Sequence, residues 1–247
     1  DGSYSYTLTA NLQHLDDGDS VTDSLGYTIA DGDADTASAT LTITIQGAND
    51  VPTITVDTGN PSNLVDKIQE SGLATGSTAG TGHVATGTLQ LSDPDGLGDL
   101  VSVTINGTTI LLGDLLTTPV AGAHGTLAIT DYNPATGEAS YQYTLTSATT
   151  DVDGPGGDPS ETDWFQLTVS DGTVSSAPVD ISIIIVDDVP YAVDDLNAIG
   201  EDQVAAVTGS VLANDQHANG QVGADGYASP PVIAVGGVAR DVGGDVD

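Results

Sequence analysis

Twice in the chain a pair of short oxygen-bearing side chains stands directly before Val-Pro: Asn49-Asp50 in GANDVP and Asp187-Asp188 in VDDVP. Aspartate and asparagine tolerate tight backbones and present hard oxygen ligands, the donors for a cation such as Ca2+ that takes about six to eight oxygens. A strand-end turn stopped by proline would explain one such pair. Recurrence of the pair one repeat later favours a shared role. Further acids lie in SDPDGLGD (Asp93, Asp95, Asp99), in the SDG turn (Asp171), in YAVDD (Asp194, Asp195) and in VLAND (Asn214, Asp215). Asp57, Glu70 and Glu201 complete the main candidate set. Secondary acidic loops carry Asp31, Asp33 and Asp35 in ADGDADT and Asp151 and Asp153 in the stretch 150–163.

The kind of acid supports coordination over simple solvation. Of 36 acidic residues only Glu70, Glu138, Glu161 and Glu201 are glutamates, and the rest are aspartates. A solvating surface could use either acid, whereas turns and calcium loops favour the shorter one. Two basic residues, Lys67 and Arg240, leave a net charge of -34. Phosphate contacts need Lys and Arg, so nucleic acid is excluded as a partner, and an anionic membrane surface repels the chain. Cations that neutralise the carboxylates would relieve the self-repulsion of the folded state.

Other chemistries fail on inventory. The four histidines, His14, His83, His124 and His217, are scattered, cysteine is absent, and no HExxH occurs. A zinc site or histidine-based triad is therefore not expected. Paired carboxylates could imitate a glycosidase, but they recur with the repeat and sit in turns, so the chain reads as a non-enzyme. Asp31, Asp33 and Asp35 alternate like the first ligands of an EF-hand, yet that loop's glycine and distant glutamate are missing. The single Trp164 reads as core or edge packing rather than as a sugar platform.

The elements that must position these residues are strands. Apolar residues alternate with Thr and Ser at Tyr4/Tyr6/Leu8, Leu25/Tyr27/Ile29, Leu41/Ile43/Ile45, Leu89/Leu91, Val101/Val103/Ile105, Leu127/Ile129, Tyr141/Tyr143/Leu145, Phe165/Leu167/Val169 and Val179/Ile181/Ile183/Ile185. Period-two alternation marks strands with one buried face, and Gly, Asp, Asn and Pro clusters punctuate them. LVDKIQESG at 64–72 is the one candidate for a turn of helix. No apolar run reaches transmembrane length, and without cysteine no disulfide stabilises the fold.

A domain-sized repeat organises the strands. GSYSYTLT at 2–9 matches EASYQYTLT at 138–146, LGYTIADGDADTASATLTITIQGANDVP at 25–52 runs parallel to FQLTVSDGTVSSAPVDISIIIVDDVP at 165–190, and VATGTLQLSD at 84–93 resembles AVTGSVLAND at 206–215. The period is 137 to 140 residues. Residues 1–52 read as the carboxy-terminal part of one module, 53–190 as a complete module, and 191–247 as the amino-terminal part of a further one. A tandem array is favoured over a split domain in which 1–52 and 191–247 fold together, since that arrangement would require the two segments to meet. The start at Asp1, without a signal-peptide pattern, reads as a segment of a longer protein.

The motifs GANDVP, VDDVP, the YTIADGD and LTVSDG hairpins, DGSYSYTL, and AVDD followed by VLAND resemble the cadherin-like and VCBS-type repeats of large RTX adhesins exported by type I secretion. The resemblance covers essentially the whole chain, although the glycine-rich RTX nonapeptide itself is not present. It implies an all-β fold of tandem immunoglobulin-like (cadherin-like) Greek-key β-sandwich modules of about seven strands, calcium as cofactor, and an extracellular, cell-surface location without direct membrane insertion. In such a sandwich the loop after strand B and the last hairpin return to the module's amino-terminal end. Asn49 and Asp50 are then expected beside Asp93, Asp95, Asp99 and Asp171, and Asp187 and Asp188 beside Asn214 and Asp215, with Asp194 and Asp195 close by. Glu70 and Glu201 point to the opposite end and serve the following joint, as an equivalent glutamate does in cadherins.

The functional expectation is a calcium-rigidified spacer that holds distal binding domains away from the cell, with neighbouring modules of the same or an adjacent chain as partners. The alternatives are a repeating unit of a surface filament or S-layer assembled by strand exchange, and a calcium-dependent glycan- or peptide-binding module built on the 150–163 loop.

Overall fold

The computed structural model describes residues 2–57, 67–149, 161–198, 200–201, 206–229, 231–232, 234–235 and 238–239. Asp151 and Asp153 lie outside the described residues, as do residues 64–66 of the helix candidate. In the rest of that candidate, Lys67–Gln69 is a strand and Glu70–Gly72 a single 3-10 turn.

The chain opens with an isolated antiparallel hairpin of β1 (Ser20–Ala30) and β2 (Thr36–Gln46). Leu25 stands opposite Leu41, Tyr27 opposite Ala39 and Asp23 opposite Ile43. The other face is polar, with hydroxyl pairs Ser24–Thr42 at 3.5 Å and Thr28–Ser38 at 2.8 Å. Alternation thus specifies the strands, but the apolar face is not covered: Leu25, Tyr27 and Ile29 are 51, 52 and 62% exposed. Residues 2–9, expected as a strand, form none. Their counterpart 137 residues on is paired on both sides, and a strand without ladder partners leaves its backbone groups to water.

The described residues between 53 and 190 form two facing sheets, all-β as expected. The strands are β3 (Thr53–Asp57), β4 (Lys67–Gln69), β5 (Val84–Ser92), β6 (Ser102–Ile105), β7 (Thr108–Leu111), β8 (Val120–Ala121), β9 (Gly125–Tyr132), β10 (Glu138–Leu145), β11 (Glu161–Ser170) and β12 (Val179–Val186). One five-stranded sheet has the order β3-β5-β10-β9-β8 and the other β4-β12-β11-β6-β7. All pairings are antiparallel except β4 with β12, which is parallel.

A single core lies between the sheets. Leu89, Leu91, Leu127, Ile129, Tyr141 and Tyr143 from the first sheet meet Val103, Ile105, Phe165, Leu167, Val169, Ile181, Ile183 and Ile185 from the second. Each of these comes from an alternating run, because successive side chains on a strand point to opposite faces and only one face meets the partner sheet. The phenol of Tyr143 and the ring of Phe165 touch edge to face at 5.8 Å. Trp164, the next residue along β11, falls on the opposite face and is 59% exposed. The expectation of core or edge packing for it is corrected by strand parity, since its neighbours Asp163 and Phe165 take the inward positions.

After Pro190 the chain is held by turns. Two short strands, β13 (Ala234–Val235) and β14 (Val238–Ala239), pair with each other, while residues 206–215, which resemble β5 in sequence, form no strand.

Candidate metal centre

The first joint gathers three separated segments. Asn49 Nδ2 donates to Asp171 Oδ2 at 3.0 Å, the amide of Asp50 donates to Asp95 Oδ2 at 2.6 Å, and the amide of Asp95 donates to Asp93 Oδ1 at 3.0 Å. Topology explains the convergence. β5 ends at Ser92 and β11 at Ser170, both at the end of the module where β3 begins, with Thr53 paired to Ser92. The turn amides of Thr173 and Val174 donate to Asp171 Oδ1, both at 2.7 Å.

Two oxygens at this joint, Asp93 Oδ2 and Asp95 Oδ1, are buried without a hydrogen-bond partner. Burial, together with the charges of Asp95, Asp171 and Asp99, raises the Asp93 carboxyl above the usual aspartate range despite the Asp95 amide. Asp99 is raised by burial and by Asp16, Asp95, Asp171 and Asp19. The DDGD loop of the preceding segment therefore faces the same joint. Asp171 moves the other way: burial would raise it, but the Val174 and Thr173 amides and the Asn49 amide group hold it below its ordinary value.

The second joint is built around Glu70. The parallel register of β4 with β12 sets Gln69 beside Val186, so the next residues, Glu70 and Asp187, arrive side by side. A carboxylate oxygen from each of Glu70, Asp187 and Asp225 lies within 4.8 Å of the others. Glu70 is fully buried; its Oε1 accepts the Thr149 amide at 2.5 Å, and its Oε2 has no partner. Burial pushes its carboxyl up to about 7, against the Thr149 amide and with help from the Asp225 and Asp187 charges. Asp225 is raised by burial and then by Asp187 and Asp188.

An unpartnered buried carboxylate oxygen amid two further carboxylates is costly without a counter-charge, since unit charges at this separation repel by about 3 kcal/mol per pair at an effective dielectric constant near 20. Acid oxygens from three segments, with no nitrogen or sulfur among them, fit a hard divalent cation. The loops around the cluster are cross-tied. Asp188 accepts the Ser77 amide at 2.8 Å and the Ser77 hydroxyl at 2.5 Å, Asn219 Nδ2 donates to the Gly76 carbonyl at 2.9 Å, and Thr75 Oγ1 donates to the Ala224 carbonyl at 3.0 Å.

The remaining candidates separate. Asp215 accepts the Val193 amide at 2.7 Å and Asn214 Nδ2 donates to the Asp194 carbonyl at 3.3 Å, so these residues close their own loop rather than joining Asp187. Asp195 and Glu201 are exposed. Asp57 is exposed in a polar groove with Thr88, Asp131 and Glu138 on the outer face of its sheet. Asp31, Asp33 and Asp35 bring carboxylate oxygens within 4.8 Å of one another, but all three are exposed. Asp31 itself is held below the usual range by hydrogen bonding with Asp33 and by loop amides, against the effect of burial.

Two residues escaped the sequence reading. Asp225 sits in an unremarkable Asp-Gly turn, and nothing short of the folded joint connects it to Glu70. Asp163, grouped in sequence with the acidic loop, is an inward residue of β11 and is 2% exposed. Its carboxylate accepts the amides of Ala123, His124 and Gly125 at 2.9, 3.0 and 3.2 Å and the Tyr143 hydroxyl at 2.9 Å. Burial would raise it, but these four donors hold it below the ordinary aspartate value. A Cβ on Gly122 would strike this carboxylate, and one on Gly125 the Tyr143 ring, so glycine is required at both positions. Asp163 is a structural pin, with no oxygen left for a metal.

No protein-family model matches the chain, and no curated protein matches its sequence.

Proposed function

We propose that the chain is a calcium-rigidified spacer segment of a bacterial surface adhesin of the RTX type, with tandem immunoglobulin-like Greek-key modules that hold distal binding domains away from the cell. The observation that carries this reading is the fully buried Glu70, which has an unpartnered Oε2 and brings a carboxylate oxygen within 4.8 Å of those of Asp187 in the linker and Asp225 in the following segment. A divalent cation there would join residues from before and after the Asp187-Asp188-Val189-Pro190 linker. Asp93 and Asp95 offer a comparable pair of unpartnered oxygens at the preceding linker.

The strand order supports the module type. A β3-β5-β10-β9 sheet facing β12-β11-β6-β7, with β4 parallel to β12, is consistent with an immunoglobulin-like Greek key. No helix among the described residues is long and apolar enough to cross a membrane. The role is mechanical rather than catalytic. Without cation the opposed carboxylates repel and loosen the joint; with calcium the ion fixes the angle between modules. At free calcium about 100 times the dissociation constant, each site adds roughly 2.7 kcal/mol to stability.

Small-angle scattering and thermal unfolding in calcium and in chelator test the proposal. Calcium is expected to lengthen the maximum dimension, narrow the conformational spread and raise the melting temperature. Identical profiles under the two conditions would refute a calcium-set joint.

A further inference from the structure

The outer face of the β4-β12-β11-β6-β7 sheet has a feature that the calcium reading does not use. Trp164, the chain's only tryptophan, stands 59% exposed on the central strand of that sheet. Its surroundings are mostly polar, with Ile184 on the adjoining strand β12 as the apolar neighbour. Along β11 the other outward positions are Thr162, Gln166 and Thr168, and across the ladder Trp164 faces Ser182 while Gln166 faces Asp180. Gln166 Nε2 reaches Asp180 Oδ1 at 3.5 Å, so an amide and a carboxylate stand together one pleat from the indole.

The platform is braced. β6 ends at Ile105, and the turn that follows places Asn106 and Gly107 at positive φ of 47° and 78°. From there the Asn106 side chain donates to the Trp164 carbonyl at 3.1 Å and accepts the Gln166 amide at 2.9 Å. The side chain replaces the missing β6 ladder and fixes the backbone on which the indole and Gln166 are mounted. The ring itself is left open.

An indole surrounded by hydroxyl, amide and carboxylate groups matches a ligand that is apolar on one face and hydroxylated at its edge. A protein interface of standard size needs about 800 Å² per partner with a largely apolar centre, which one ring with Ile184 and Val186 among polar side chains does not supply. Charge narrows the ligand further. At a net charge of -34 the surface repels polyanions, which excludes an acidic glycan as the ligand.

We propose that this face is a binding subsite for a neutral hexopyranose, with the C–H face of the sugar stacked on the Trp164 indole and its hydroxyls bonded to Gln166 and Asp180. One stacked ring with a few hydrogen bonds supports weak affinity per chain, and repetition along an array would raise it by avidity. This subsite is independent of the calcium joints.

The single tryptophan makes the test direct. The full chain is titrated, by intrinsic fluorescence, with neutral oligosaccharides of glucose, mannose, galactose and N-acetylglucosamine, with oligogalacturonate, and with oligolysine, each in calcium and in chelator. The expected result is a saturable spectral shift with at least one neutral oligosaccharide, unchanged by chelation, absent with oligogalacturonate, and weakened about fivefold in Gln166→Ala and in Asp180→Asn, the loss of roughly one hydrogen bond each. Affinity electrophoresis in gels containing the responsive glycan should show retardation of the native chain and none of Trp164→Ala, which changes an exposed side chain and leaves the core intact. No response to any neutral saccharide overturns the proposal. So does a response to oligolysine alone, or one that vanishes on chelation.

Discussion

Two hairpins in this molecule share a sequence pattern and a register, and differ in burial. In β1–β2 Leu25 pairs with Leu41, Tyr27 with Ala39 and Asp23 with Ile43; in β11–β12 Phe165 pairs with Ile181, Leu167 with Val179 and Asp163 with Ile183, each residue 140 positions on. Yet Phe165 and Leu167 are fully buried, while Leu25 and Tyr27 are about half exposed. Even the polar pin recurs: the Tyr6 hydroxyl donates to Asp23 at 3.3 Å, as Tyr143 does to Asp163 at 2.9 Å, but the three loop amides that complete the second pin have no counterpart among the bonds to Asp23. Pairing and register are local properties of alternating strands. Burial is supplied by an opposing sheet, present over β11–β12 and absent, among the described residues, over β1–β2.

This contrast sets the sizes of the mutational effects. Phe165→Ala should cost about 3–5 kcal/mol in chemical denaturation followed by Trp164 fluorescence, because it empties a packed site. Leu25→Ala should stay within about 0.5 kcal/mol. A large effect at Leu25 would mean that its face is covered in solution. Asp163→Ala should cost roughly 3 kcal/mol, since it strands three amides and a tyrosine hydroxyl in the core, whereas Asp23→Ala should be close to neutral by the same assay.

The proposed calcium joints should respond to ions and protons. Glu70→Gln should remove the calcium-dependent rise in melting temperature attributable to the second joint, about 2–3 kcal/mol at saturating calcium, measured by calorimetry with and without chelator. In chelator Glu70 should contribute the opposite pH trend to ordinary carboxylate pairing. The folded Glu70 carboxyl titrates near 7, above the value of an unfolded glutamate, so the native state retains a proton that the unfolded chain has already released. The Glu70 contribution to stability is therefore greatest below the ordinary glutamate range and falls as pH rises toward 7, by roughly 2 kcal/mol, against the opposite contributions of Asp163 and Asp171. Glu70→Gln should flatten that slope. The smallest difference is expected between the hairpin turns: Asp171→Ala, which frees two turn amides and the Asn49 contact, should cost about 1 kcal/mol by the same denaturation assay, and Asp31→Ala, in an exposed turn, should cost less.

How much was legible beforehand depended on the range of the interaction. The strands of the 53–190 module follow from alternation, and Asn49, Asp50, Asp93, Asp95 and Asp171 could be expected together because loop topology returns three stretches to one end. Trp164 was misread because aromatic character was weighed without strand parity; counting from Phe165 would have turned it outward. Asp163 was grouped with its acidic neighbours in sequence, although its company in space is Tyr143 and the 123–125 amides. Asp225 carries no signal at all, since its partners Glu70 and Asp187 come from distant parts of the chain.

The sequence by itself determined what short-range physics controls: strands from period-two alternation, turns from Gly, Asp and Asn, the repeat and its register, and a net charge of -34. The tertiary structure alone decided which alternating faces are buried, which carboxylates meet, and which carboxylate oxygen is left without a partner. Those outcomes depend on parallel and antiparallel pairings between strands far apart in the chain, and on desolvation, which no residue possesses until its neighbours are in place.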